Sequence, residues 1–253
     1  MSFSSAASYD RFMGRYSIPL APQFADLADV TGGRALDVGC GPGALTGELV
    51  MRLGAGSVSA VDPSEPFVAA IRERYPAVAV QCAPVEELPH ADGAFDVTLA
   101  HLVVHFMRDP VAGLSEMRRV TRPQGVVAAC VWDHAGGSGP LSSFWTAARR
   151  LDPGIGDEGP LPGTRRGDLG ELFGAAGLLD IEETTLTVSV EHGTFDDWWE
   201  PFTLGVGPAG SYTASLDPVR QDRLRQIARD LHPEAPFVVT ARAWAATGIA
   251  PHP

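Results

Sequence analysis

Residues Ala35 to Gly43 read A-L-D-V-G-C-G-P-G, a short apolar run carrying one acid, then glycine at every second position. Glycine enters positive φ at no steric cost and lets another group approach the backbone where a Cβ would stand. Gly39, Gly41 and Gly43 therefore predict a tight turn lying against a ligand. The next segment, Ala44 to Leu53, spaces Leu45, Leu49 and Leu53 four apart, as on one helix face. A strand that turns through glycines into a helix N-terminus presents backbone N–H groups to an anionic group. Gly39, Gly41 and Ala44 also satisfy the G-x-G-x-x-G/A dinucleotide pattern, and Asp62, roughly twenty residues on, suits the ribose of either kind of nucleotide cofactor.

Short β-rich runs alternate with helical patterns beyond this loop. Strands are expected near Arg34 to Val38, Val58 to Asp62, Ala77 to Cys82, Phe95 to Ala100 and Val126 to Trp132, with helices between. Such alternation builds a parallel sheet wound on both sides. With 45% hydrophobic and 20% charged residues, 253 residues suffice for one α/β core.

Taken in order, six stretches resemble the motifs of the class I S-adenosylmethionine-dependent methyltransferases. They are D-V-G-C-G-P-G from Asp37, V-S-A-V-D-P from Val58, A-P-V-E-E-L-P from Ala83, F-D-V-T-L-A from Phe95, H-L-V-V-H-F-M-R-D-P from His101 and E-M-R-R-V-T-R-P-Q-G from Glu116. The last two resemble the small-molecule branch that includes the ubiquinone and menaquinone biosynthesis enzymes. A nicotinamide enzyme has no reason to carry these stretches in this order. The resemblance covers residues 9 to 132 well and the remainder in outline. It implies a doubly wound, mostly parallel, seven-stranded Rossmann-like α/β sheet with helical lid insertions. Ile181 to Val190 and Phe237 to Ala245 would be its sixth and seventh strands, the seventh antiparallel. A single domain over 1–253 is expected, with an N-terminal helical cap at 1–30, a cofactor-binding core at 31–132 and substrate lids at 133–180 and 191–236, the latter two being long and turn-rich.

The resemblance implies S-adenosylmethionine as cofactor and S-adenosylhomocysteine as product, bound beyond the carboxyl ends of the strands. Gly39, Cys40, Gly41 and Gly43 would approach the methionine part. Asp37 would face its ammonium, directly or through water, against a competing role of tying down the turn. Asp62 would accept two hydrogen bonds from the ribose hydroxyls, with Pro63 beside it. Val85 and Glu86 fall in the loop whose backbone amides read the adenine edge, although Pro84 stands where the family often has an acid, and a plain surface role competes for Glu86. Tyr9, at helical spacing with Phe12 and Tyr16, belongs to a segment that folds over the cofactor in related enzymes, or else docks on the core. Arg11 or Arg15 could then meet the cofactor carboxylate, against the default of a solvated arginine.

His101, directly after the fourth strand, would lie near the transferred methyl, with His105 one helical turn on along the same face. Both are candidate catalytic residues able to take a proton near neutral pH, and packing competes as the role of His105. Trp132, Trp145 and Trp199, with Phe144, Trp198 and Phe202, would line an apolar acceptor pocket, against ordinary core packing. The H-x-x-x-H pair lacks completing ligands, so no metal is expected.

A net charge of −12 and a pI near 4.9 argue against nucleic acid and anionic membrane surfaces as partners. No apolar run reaches the roughly 20 residues of a membrane span, and Met1 to Asp10 lacks a signal-peptide pattern, so a cytoplasmic setting is expected. Cys40, Cys82 and Cys130 are odd in number and widely spaced, which predicts reduced, mostly buried thiols. Monomer and homodimer stay equally open. The expected function is methyl transfer to an O, N or C atom of a small-molecule acceptor by in-line displacement, which needs alignment and exclusion of water. The alternatives are a non-catalytic cofactor-binding regulator or scaffold, and an isomerase or cyclase that uses the charged cofactor electrostatically.

Overall fold

The computed structural model describes residues 6–252; residues 1–5 of the expected N-terminal cap, and Pro253, lie outside it. Seven strands, β1 Ala35–Val38, β2 Val58–Asp62, β3 Ala79–Cys82, β4 Phe95–His101, β5 Thr121–Trp132, β6 Leu179–His192 and β7 Phe237–Ile249, form one sheet ordered β3-β2-β1-β4-β5-β7-β6. Strands β1 to β5 are parallel, and β7 runs antiparallel to both β5 and β6. The chain order reverses between β1 and β4, which opens a crevice at the carboxyl ends of those strands.

The chain enters through α1 Ala6–Tyr9, a π-helical turn at Asp10–Gly14 and α2 Arg15–Leu27. There follow α3 Ala44–Leu53, α4 Glu65–Arg74, α5 Pro110–Val120, α6 Ser142–Leu151, α7 Asp168–Ala175, α8 Phe195–Trp199, α9 Gly207–Ser215 and α10 Pro218–Leu231. Local chemistry fixes several starts. Asp109 and Asp217 accept from the backbone N–H of Ala112 and Arg220, each followed by a proline at the first helical position.

Alternating residues of the central strands feed two cores, as pleating requires. Val127, Ala129 and Val131 of β5 pack with Leu114, Met117 and Phe173 under α5 and α7. Ala128, Cys130 and Trp132 face the other side, with Leu20 and Phe24 of α2, Leu45 and Leu49 of α3, and Phe144 of α6.

Three expectations change. Strands β6 and β7 run beyond the expected ends because they pair along nearly their whole length, and β5 begins earlier because Thr121 already pairs with Phe95 of β4 ahead of a register shift. Helix α7, inside the stretch assigned to the first lid, packs against β6, β7 and α5, and so is a layer of the sheet. Cys82 is exposed rather than buried, because β3 is the sheet edge and most of its residues meet solvent; Cys40 and Cys130 are buried.

Candidate active site

A cavity of about 490 Å3 fills the crevice, a size typical of small-molecule sites. The loops after β1 and β2 contribute Gly39, Cys40, Gly41, Asp62 and Pro63, the end of β4 contributes His101, and the N-terminal segment contributes Tyr9. Gly39 and Gly41 hold φ of 68° and 52°. A Cβ on Gly39 would stand 2.6 Å from the Val103 methyl groups, whereas on Gly41 it would meet nothing within 4 Å. Gly41 thus turns bare backbone toward open space. Asp62 braces this turn: Gly41 N–H donates to Oδ2 at 2.9 Å and Ser64 N–H to Oδ1 at 2.8 Å. A carboxylate has about four acceptor sites, so about two remain for a ligand. Burial pushes the Asp62 carboxyl up while the two N–H groups pull it down.

Several other expected site residues do not line this cavity. Asp37 is fully buried and does not line the cavity. Its Oδ2 accepts from the Thr46 hydroxyl at 2.6 Å, tying β1 to α3, and its Oδ1 has no partner. Burial pushes its pKa up to about 7, against the Thr46 bond. Gly43 faces α4: a Cβ there would lie 2.6 Å from Ile71 Cδ1, so this glycine serves helix packing. Val85 is buried against Gly113, and Glu86 Oε1 accepts from the N–H groups of Arg108 and Asp109 at 2.9 and 3.3 Å. Neither lines the cavity, because their turn packs onto α5. Arg11 pairs with Glu200, and Arg15 donates to the Asp197 carbonyl, so both arginines are spent docking the N-terminal helices. Tyr16 Oη lies 2.9 Å from His192 Nε2 in the same dock. Cys40 does line the cavity, as a protonated thiol raised by burial.

His101 ends β4 and stacks on Phe24 with ring centroids 5.5 Å apart, leaving Nε2 unpartnered. Burial pushes its pKa down to about 3. His105 sits in a single 3-10 turn, Val104–Phe106, so the four-residue spacing does not place it on His101's face. It lines instead a second cavity of about 40 Å3, together with Trp132, His134, Glu158, Phe12 and Leu141; Tyr9, Leu102 and Phe106 wall both cavities. The His105 and His134 rings are 5.6 Å apart. Burial, aided for His105 by His134, pushes them down to about 3 and about 4. All three histidines are therefore neutral at pH 7 and weak bases, contrary to the expectation for His101 and His105.

Glu158 is the site residue that the sequence concealed. It lies in a turn-rich stretch where an acid reads as solvated, yet it is 4% exposed. Its Oε2 has no partner, and burial, with Asp157 adding, pushes its carboxyl up to about 7 against the Trp145 indole. No pattern of spacing marks it. Of the expected acceptor aromatics, Trp132 lines the second cavity, while Trp198 and Phe202 border a separate void of about 10 Å3 beside Phe12 and Tyr16. Trp145 and Trp199 are buried in an aromatic cluster where Phe144 stacks on Phe202 at 4.5 Å and 10°. Among the described residues, no group of three His, Cys, Asp or Glu side chains could hold a metal ion.

Residues 36–129 match the family described as Methyltransferase domain. The malonyl-[acyl-carrier protein] O-methyltransferase of Pectobacterium atrosepticum is 31% identical over 154 residues, which are 58% of this chain and 56% of that protein. The chain spans less than two thirds of the length of the curated relatives it matches. The YcgJ protein of Bacillus subtilis shares the fold with a TM-score of 0.60 at 17% identity, over 93% of this chain and 99% of that one. Phosphoethanolamine N-methyltransferase 2 of Haemonchus contortus, solved with S-adenosylhomocysteine, has a TM-score of 0.59 at 17% identity, over 98% of this chain and 57% of that one. The cavity suits such a cofactor: Asp62 keeps acceptor sites for a diol, and Gly41 leaves backbone bare where an amino-acid end would lie. Because the matched stretch contains the very loops that build this cavity, residues 36–129 form a class I methyltransferase domain whose cofactor is S-adenosylmethionine.

Proposed function

We propose that the chain transfers a methyl group from S-adenosylmethionine to a small-molecule acceptor. The observation that carries this reading is the pair of adjoining cavities with Tyr9, Leu102 and Phe106 in common, one sized for the cofactor and one small and mostly apolar. When bound, S-adenosylmethionine supplies an electrophilic methyl whose bond to sulfur leaves its electron pair on sulfur as an acceptor lone pair bonds to carbon. The protein's task is then alignment and exclusion of water. Asp62 accepts from the ribose hydroxyls, and the Gly39–Gly41 backbone carries the amino-acid end. Tyr9, Phe12 and Phe106 screen the junction of the cavities from solvent, and His101 offers a neutral ring nitrogen there. Residues 6–30 act as the cap, while α6 and α8 to α10 cover the acceptor side. A cytoplasmic setting belongs to the same reading, resting on the composition and the free thiols.

The test is incubation with methyl-labelled S-adenosylmethionine and a panel of amines, phenols and carboxylic acids, following label and S-adenosylhomocysteine together. Label appearing in an acceptor, one for each S-adenosylhomocysteine formed, is expected. Tight cofactor binding with label never leaving it would make the chain a binding protein or a cyclase-type enzyme instead.

A further inference from the structure

Resting on the methyl-transfer reading, we infer that Glu158 is the proton acceptor of the acceptor subsite, so that the methylated atom is an N–H or O–H of an amine or hydroxyl compound and not a carboxylate. Glu158 lines the smaller cavity, and its Oε2 is buried without a hydrogen-bond partner. A buried carboxylate of this kind is costly unless something donates to it or carries a positive charge. The protein supplies neither in full: among the described residues lining this cavity there is no arginine or lysine. Arg149 of α6 is paired with Asp157 on the preceding residue.

The titratable groups around Glu158 are few. His105, from the turn after β4, His134, from the loop after β5, and Tyr9, from the N-terminal segment, line the same cavity; burial holds both histidines neutral and keeps the Tyr9 phenol protonated, pushed up to about 12. Asp157 adjoins it in sequence and Asp133 influences His134. The Trp145 indole favours the ionised carboxyl. His105 Nδ1 and Trp132 Nε1 are likewise unpartnered, so the subsite presents several polar atoms on an otherwise apolar wall. An acceptor carboxylate would find no cation here and would meet Glu158. An N–H or O–H group donates to Oε2. On reaction its proton passes to Oε2, and the lone pair left on nitrogen or oxygen is the pair that forms the new bond to carbon. The proton returns to water after product leaves.

The test uses the full chain saturated with S-adenosylhomocysteine, titrated calorimetrically with benzylamine, phenol and benzoate at about pH 6 and about pH 8. Wild type is expected to bind benzylamine and phenol about tenfold or more tightly than benzoate at the higher pH, with the margin for benzylamine over benzoate widening between the two pH values. Both of those probes keep constant charge across that interval, so the widening reports the protein. Glu158→Gln is expected to flatten the pH dependence and narrow the margin to within about threefold, with S-adenosylhomocysteine affinity unchanged. Equal or tighter binding of benzoate in wild type would overturn the inference, as would a margin independent of pH, or failure of all three probes on protein that binds S-adenosylhomocysteine. The wild-type pH comparison stands even where the variant does not fold. Failure to bind S-adenosylhomocysteine at all would instead remove the methyl-transfer reading.

Discussion

Replacing Asp37 by asparagine should stabilise the protein at neutral pH and lose that advantage in acid. Asp37 is fully buried, with one oxygen bound by the Thr46 hydroxyl and the other unpartnered. Burial raises its pKa from 3.8 to about 7. Between those values the native state holds a proton that the unfolded chain has released, so wild-type stability falls as pH rises through the interval. At roughly 1.4 kcal/mol per pH unit, the whole interval amounts to about 4 kcal/mol. Asparagine carries no charge to bury and still accepts from Thr46. Its amide leaves buried N–H groups without acceptors, a cost of about 1–3 kcal/mol at every pH. The variant should therefore be about 1–3 kcal/mol less stable than wild type near pH 4 and about 1–3 kcal/mol more stable above pH 7. The lowered histidines, His101, His105, His134 and His192, act in the opposite direction, losing stability as pH falls below their ordinary 6.5, but they are common to both proteins and cancel. Urea unfolding followed by tryptophan fluorescence across this range measures the gap. A gap that stays constant with pH would refute the buried-carboxyl argument.

Gly41→Ala places a Cβ in the cavity at a φ of 52°, so it should weaken S-adenosylhomocysteine binding about tenfold, while urea unfolding shows a stability loss of only about 1–2 kcal/mol for the strained backbone. Trp199→Ala should do the reverse. As part of the aromatic cluster it should cost about 3–5 kcal/mol in urea unfolding, with cofactor and probe affinities of the folded fraction unchanged. A selective loss of probe binding would return Trp199 to the acceptor pocket.

What the sequence made legible was contiguous. Helix α3 begins and ends as its leucine spacing and glycines predict, and Asp62 closes β2 beside the loop it braces, because strand, turn and helix follow from neighbours in the chain. Residues whose roles depend on distant partners were misread. Glu86 is captured by backbone N–H groups 22 and 23 residues away, and Gly43 faces an isoleucine of the next helix. The arginines expected at the cofactor carboxylate are held by Glu200 and Asp197, supplied by the segment after β6. Tryptophans in the covering helices carry no mark that separates cavity wall from core, and Glu158 reads as a surface acid until burial is known. Direction of a side chain across layers is a property of packing, which periodicity within one element does not encode.

Calorimetric titration with S-adenosylmethionine and S-adenosylhomocysteine, on wild type and on Asp62→Asn, reaches the cofactor site most directly. Asparagine keeps one acceptor for the loop N–H groups and gives up the second charged oxygen that a ribose diol requires. Wild-type dissociation constants on the order of micromolar, weakened about tenfold or more in a variant that still unfolds cooperatively but about 1–3 kcal/mol less stable for the loop N–H that loses its acceptor, are the expected result. Absence of binding to wild type, or equal binding by both proteins, would contradict the assignment of this cavity to S-adenosylmethionine.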